Sequence, residues 1–403
     1  MLKIKLKSDS KTQPSPSSFV QTVKPSGILT LLLVAALSNP VSAGPREQAK
    51  RIHDRLAGVA PTESVLDQME TQVAGGNPEA AANIAMENPA FYNVTLKNFA
   101  APWTNRDLDV FVPLNDYVAT VIGMIRDDVP FNTVLSADLV YTSNAPGLPA
   151  YSMTNNNHYA QAEANAVDLK ATLVAQPQSS LTSLPASATA GVVTTRAAAE
   201  AFFIAGTNRA MFRFTMMNHL CNDLEQIKDA TRSVDRIRQD ISRSPGGDSR
   251  LFLNNCASCH TGMDPLAQAY AYYNFNTDTG SIEYTPGQVQ PKYLINATNF
   301  INGFVTPDDR WDNYWRSGTN ALLGWDSSLP GSGNGAKSMG IELANSDAFA
   351  SCQVKKVFRT VCFRDPVDTA DRNQINSITS SFKTSNYNMK QVFAKTAAYC
   401  MGD

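Results

Sequence analysis

Cys256-Ala257-Ser258-Cys259-His260, continued by Thr261-Gly262-Met263-Asp264-Pro265-Leu266, is the stretch on which the reading of this 403-residue chain turns. Two cysteines three apart with a histidine directly after them form the pattern that attaches haem c. The spacing has a mechanical cause. On a helical turn, positions i and i+3 share a face, so both sulfurs meet one edge of a porphyrin and add to its vinyl groups. His260 is then directed beneath the ring to bind iron. A zinc site would need a second close ligand pair, and the sequence offers none. A redox dithiol belongs in a βαβ setting, and none surrounds this pair. Asp264-Pro265 reads as a cap and first position, with a helix expected to run on through Ala269 to Tyr273.

The face of the iron opposite His260 decides what such a haem does. A methionine there suits electron transfer, whereas an empty position permits peroxide or oxygen chemistry. Met339 is the expected sixth ligand, because it follows the glycine-rich loop Gly331-Ser332-Gly333-Asn334-Gly335 and precedes a helix near Glu342. His158, His219 and Met216 are the alternatives. Met263 lies three residues from His260 and belongs on the proximal side, and His53 sits on a helix that reads as exposed. Thr306-Pro307-Asp308 opens an expected helix with Trp311, Tyr314 and Trp315 at i, i+3, i+4. That stripe reads as core or as a cover for the porphyrin.

Four cysteines remain: Cys221, Cys352, Cys362 and Cys400. An even number in an exported chain suits two disulfides, with free thiols as the alternative. Val354, Val357, Phe358 and Val361 recur with helical period, so Cys352 and Cys362 share a helix. At helical rise they stand about 15 Å apart, beyond disulfide reach. Cys400 ends a helix carrying Met389, Val392, Phe393 and Ala397, which favours Cys362–Cys400 with Cys221–Cys352 as its complement.

Residues 1–43 have the layout of an export signal. Five lysines precede an apolar run, Ile28–Leu37, which is too short to span a bilayer, and the small-residue site Val41-Ser42-Ala43 follows. Its removal takes away five lysines and Asp9, leaving 29 basic against 35 acidic residues and a charge of about −6. No basic surface for nucleic acid is implied, and no later segment is apolar enough for a membrane helix. The periplasm or outer surface of a bacterium is the expected location. Residues 44–141 are punctuated as helices, with Asn77-Pro78 and Asn88-Pro89 placing capping side chains before prolines. Residues 142–190 form a polar loop region with one helix, His158 to Leu173, and with Gln176 to Ala190 as linker. Residues 191–403 form a cytochrome c-like haem domain, opened by a helix with Met217, Leu220, Cys221 and Leu224 on one face. The fold class is mainly α with few strands.

Several further segments carry a resemblance. Arg126-Asp127-Asp128-Val129-Pro130-Phe131 with Leu135-Ser136-Ala137-Asp138 resembles a segment of large c-type cytochrome-like proteins first grouped from planctomycetes, which contain several consecutive domains of unknown function. Ala190-Gly191-Val192-Val193-Thr194-Thr195 and Leu220-Cys221 are similar to their next block. Cys259-His260 with Met263-Asp264-Pro265-Leu266 is similar to their haem block, and Phe349-Ala350-Ser351-Cys352 with Val357-Phe358 to their C-terminal helix. The likeness is ordered and covers most of Asp116 to Phe363. It implies a helical haem-binding architecture and a redox role, and it supplies no substrate. Cys362 and Cys400 depart from the pattern.

The expectation is therefore an exported monohaem c-type cytochrome. It would be a one-electron carrier, or a cytochrome subunit of an envelope redox complex, with redox proteins as partners. Neither a catalytic triad nor a paired acidic motif is visible. A haem enzyme of peroxidase or oxygenase type, with an open sixth position, is one alternative. A surface interaction protein with structural haem is the other.

Overall fold

The computed structural model describes residues 43–204, 206–243 and 248–402. The expected export signal, apart from Ala43, lies outside them. About 53% of the chain is helical and 7% strand, which makes the fold mainly α. Helix α1 (Pro45–Ala57) starts on a proline at its first position and stops at Gly58, whose φ of 72° ends the helix in the left-handed region. Helix α2 (Glu63–Ala74) is capped by the Thr62 hydroxyl, which accepts from Val65 N–H. Helix α3 (Pro78–Met86) begins at Pro78, although Asn77 turns its side chain back to Gly75 O instead of capping. Helix α4 (Asp116–Arg126) is capped by Asn115 and is buried along nearly its whole length.

The polar region is more structured than a linker. Strand β1 (Val140–Ser143) pairs antiparallel with β2 (Leu173–Gln176), Val140 opposite Gln176 and Ser143 opposite Leu173. The single helix expected from His158 to Leu173 is instead α5 (Asn157–Ala164), a break at Asn165 and Ala166, and a short turn Leu169–Thr172. Ala166 takes a positive φ there, which stops the helix. The expected linker, Gln176 to Ala190, is tied into the core: Gln178, Leu184, Ala188, Thr189 and Ala190 are buried. The Thr194 hydroxyl donates to Gln178 Oε1 at 2.6 Å, which a free linker would not permit.

Helices α6 (Arg196–Phe202) and α7 (Arg209–Leu220) follow. Cys221 caps α7 in the left-handed region, so the expected stripe running on to Leu224 is interrupted. Helix α8 (Ser249–Asn255) leads into α9 (Ala257–Ala267). Two further two-stranded sheets are β3 (Tyr273–Asn276) with β4 (Ser281–Tyr284), and β5 (Arg310–Asp312) with β6 (Ser332–Asn334). The helix expected after Thr306 is not formed: Trp311 lies in β5, and Tyr314–Arg316 is a 3-10 turn. The aromatic spacing was real, but the chain buries Trp311 and Trp315 from an extended and turned backbone.

Helices α10 (Gly335–Ala344), α11 (Asp347–Cys362), α12 (Thr369–Thr384) and α13 (Met389–Tyr399) complete the chain. The C-terminal helices close back on the first ones: Phe393 meets Phe91 and Phe99 edge-on, with ring centroids 5.2 and 5.5 Å away. One hydrophobic cluster runs from Ala49 to Cys400, so regions 44–141, 142–190 and 191–403 share a core. Cys352 and Cys362 lie on α11 as expected. Cys221 and Cys352 are at disulfide distance with Cα atoms 5.3 Å apart, and Cys362 and Cys400 with Cα atoms 5.6 Å apart.

Candidate haem attachment site

Cys256 is the N-cap residue of α9, and Cys259 and His260 follow within its first turn. The amides of Cys259 and His260 both donate to Cys256 O, at 3.2 and 3.3 Å, so the three residues stack at i, i+3 and i+4 on one face. The helix starts earlier than expected and runs through Asp264-Pro265. Asp264 is therefore no cap. Pro265 withholds only the bond that its missing N–H would make to Thr261 O, two residues before the helix ends, where that loss is tolerable.

Cys256 and Cys259 are the unbonded cysteines, and both are partly exposed. Burial pushes the Cys259 thiol up, with Glu225 adding to the effect. A reactive redox dithiol needs the opposite shift, towards thiolate. Among the described residues, no group of three His, Cys, Asp or Glu side chains converges as a metal-holding set.

His260 is oriented from behind. Its Nδ1 lies 3.2 and 3.1 Å from the two oxygens of Asp264, which is fully buried. Donating there through Nδ1–H leaves Nε2 with the free lone pair, the one an iron would take. Arg209 grips the same carboxylate through Nε at 2.8 Å and Nη2 at 3.1 Å, and holds Asp240 through Nη1 and the shared Nη2. Burial alone would raise the Asp264 carboxyl, but Arg209, His260 and Arg238 outweigh it and hold it well below the usual carboxylate range.

Around Cys256 lies a small separate cluster of Ile237, Ile241, Phe252, Ala257 and Phe300. The Phe252 ring is 5.8 Å from that of His260. Leu251, Leu253 and Ile301, beside Phe252 and Phe300 in the chain, are 47%, 55% and 68% exposed. An apolar cluster against Cys256, a second unbonded cysteine one helical turn on, and an imidazole engaged at Nδ1 from behind fit a porphyrin, which would bring its own apolar face. The residues present therefore suit haem c.

On the inner side, Gly262 faces Trp315 so closely that a Cβ there would stand 2.0 Å from the indole Nε1. Nothing in the spacing of Trp315 pointed to this contact. The Gly262 position, one turn inside the cysteine motif, is the only hint of it.

The other expected ligands are packed in the core or engaged in hydrogen bonds. Met339 sits within α10 rather than on a loop, 1% exposed in the main cluster. That cluster reaches α9 through Met263 and Leu266, whereas Cys256 packs on the small one. His158 has both ring nitrogens engaged, Nδ1 with Pro149 O at 2.7 Å and Nε2 accepting from Ser143 N–H at 3.0 Å. His219 is buried with Nε2 on the Tyr117 hydroxyl at 2.7 Å, and Met216 is a core residue. His53, expected on an exposed surface, is 1% exposed and bonds Val59 O through Nδ1.

No helix among the described residues is long and apolar enough to cross a membrane. Comparison with protein families, with curated proteins and with solved structures gives no match.

Proposed function

We propose that this chain is an exported monohaem c-type cytochrome acting as a one-electron carrier, or as the cytochrome subunit of a redox complex in the bacterial envelope. Haem c would be held through thioethers to Cys256 and Cys259, with His260 as the axial ligand. The observation that carries this reading is the pairing of the six cysteines. Four stand at disulfide distance in two pairs, and the two left unbonded are those of the Cys-x-x-Cys-His motif, on one helical turn with an imidazole whose Nδ1 is engaged by Asp264. When bound, the group supplies a reversible one-electron couple. Cys256, Cys259 and His260 would hold it, Phe252 would shield the His260 ring from water, and redox proteins would be its partners.

Met339 is proposed as the sixth ligand on its position downstream of the motif. One observation favours a second reading, a haem enzyme of peroxidase or oxygenase type with an open sixth position. The Met339 side chain is spent on the main core, as are His219 and Met216. Two measurements test the proposal. Protein purified from an exporting bacterium should keep haem under denaturing electrophoresis, and Cys256→Ala with Cys259→Ala should abolish that retention. A low-spin ferric spectrum with a sulfur-to-iron charge-transfer band, lost in Met339→Ala, supports the electron carrier. A high-spin spectrum with rapid cyanide binding supports the enzyme. Protein that carries no covalent haem overturns both.

A further inference from the structure

Three histidines of this chain hold an oxygen with Nδ1, and they do not hold the same kind. His53 meets Val59 O at 2.9 Å and His158 meets Pro149 O at 2.7 Å, both neutral backbone carbonyls. His260 meets a carboxylate, at 3.1 and 3.2 Å. That carboxylate belongs to a closed set of charges with almost no exposure: Asp264, Asp240 and Arg238 have no side-chain exposure, and Arg209 has 18%. Arg209 spans both aspartates. Arg238 approaches Asp240 at 3.3 Å and Asp264 at 3.8 Å, and its backbone N–H donates to Asp264 Oδ2 at 3.3 Å. Its guanidinium lies 4.4 Å from the centroid of the Tyr293 ring. Two arginines balance two aspartates, so Asp264 stays anionic in a dry setting and its oxygens are fixed on the Nδ1 of His260. Burying four charges costs desolvation that a hydrophobic substitute would avoid. A carboxylate that accepts from the far ring nitrogen of a ligating histidine orients the ring and raises its basicity.

We propose that Asp264 is a positioning residue that makes His260 an anion-backed, strongly donating axial ligand and sets a lower reduction potential than a carbonyl-backed histidine would. This rests on the haem reading above. The physical basis is differential stabilisation. Electron density pushed from Asp264 through Nδ1–H to Nε2 favours the more positive, oxidised iron. Reduction adds one electron there, and the proton stays on Nδ1. Arg209 and Arg238 hold the carboxylate in place, and Asp240 offsets their charge so that they do not draw density back from it.

The test compares Asp264→Asn with Asp240→Asn in the haem-loaded protein by potentiometric titration at one pH. Both remove one buried negative charge, but only the first changes the acceptor on His260. The expected result is an upward shift in potential that is clearly larger for Asp264→Asn. Equal shifts would reduce Asp264 to a background charge and overturn the proposal, as would no shift. Should Asp264→Asn fail to fold or load haem, the unmodified protein decides. The iron–histidine stretch of its ferrous form after photolysis of carbon monoxide should fall in the high range of carboxylate-backed histidines. A value in the carbonyl-backed range overturns the inference. Absence of covalent haem would instead sink the reading beneath it, and the two failures are told apart by the haem stain.

Discussion

Gly262→Ala sets two effects of opposite sign against each other. Gly262 lies inside α9, between His260 and Asp264, and an alanine in a helix interior gains about 0.8–1 kcal/mol over glycine. Its Cβ, however, would stand 2.0 Å from Trp315 Nε1, 2.1 Å from Cε2 and 2.6 Å from Cζ2. Carbon contacts become favourable only near about 3.5 Å, so the indole would have to retreat by roughly 1.5 Å. Trp315 is fully buried, tilted against Phe212 with ring centroids 5.9 Å apart, and has no free side to move into. Overpacking of this kind costs about 1–3 kcal/mol or more. A contact this close puts the packing cost at the upper end of that range, so packing outweighs propensity and the net expectation is a loss of up to about 2 kcal/mol. The assay is urea unfolding of the disulfide-intact protein, read as a lowered midpoint at constant slope. Trp315→Leu removes the three clashing atoms, so Gly262→Ala in that background should be neutral or stabilising, a coupling of about 1 kcal/mol or more. If Gly262→Ala stabilises the parent protein by its helix propensity, Trp315 does not cover α9 and the placement of that helix is wrong.

Two other expectations follow from the buried histidines and the cysteine pairs. Burial pushes both His219 and His53 below the ordinary histidine value, Lys356 adding to the effect at His219. In the window between these depressed folded values and about 6.5, the unfolded chain binds more protons than the native one. Stability is then complete above about pH 6.5 and lost as pH falls below it, by up to about 1.4 kcal/mol per pH unit for each histidine. His219→Gln should flatten that slope in denaturant titrations across pH 4.5–7, and an unchanged slope would contradict the burial of His219. Replacing both Cys362 and Cys400 with serine opens a cross-link of sequence separation 38. The chain-entropy estimate is a loss of about 4 kcal/mol, measured as a lowered denaturation midpoint. No change would mean that the pair is not bonded in the folded protein.

The stacking of Cys256, Cys259 and His260 was legible in the sequence, because i, i+3 and i+4 on one helical turn are set by backbone geometry alone. Helical period placed Cys352 and Cys362 on one helix, and distance along that helix forbade their union. The misreadings share a cause. The run from Gln176 to Ala190 is polar and rich in small residues, as linkers are, yet it is anchored by contacts to Thr194 and the main core that no local pattern encodes. Trp311, Tyr314 and Trp315 carry helical spacing, but pairing of β5 with β6 decides their backbone. Asp264-Pro265 has the local form of a helix start. Its carboxylate is claimed instead by His260, Arg209 and Arg238, two of which lie 26 or more residues away in sequence.

The amino-acid sequence by itself determined the mainly helical class and the placing of Cys256, Cys259 and His260 on one helical turn, because helix periodicity and motif spacing act over a few residues. Tertiary structure alone decided that Asp264 backs His260, that Trp315 seals α9 at Gly262, and that Met339 is buried in the main core. Each of these depends on side chains brought together across long loops, where burial and charge pairing, rather than local spacing, choose the partner.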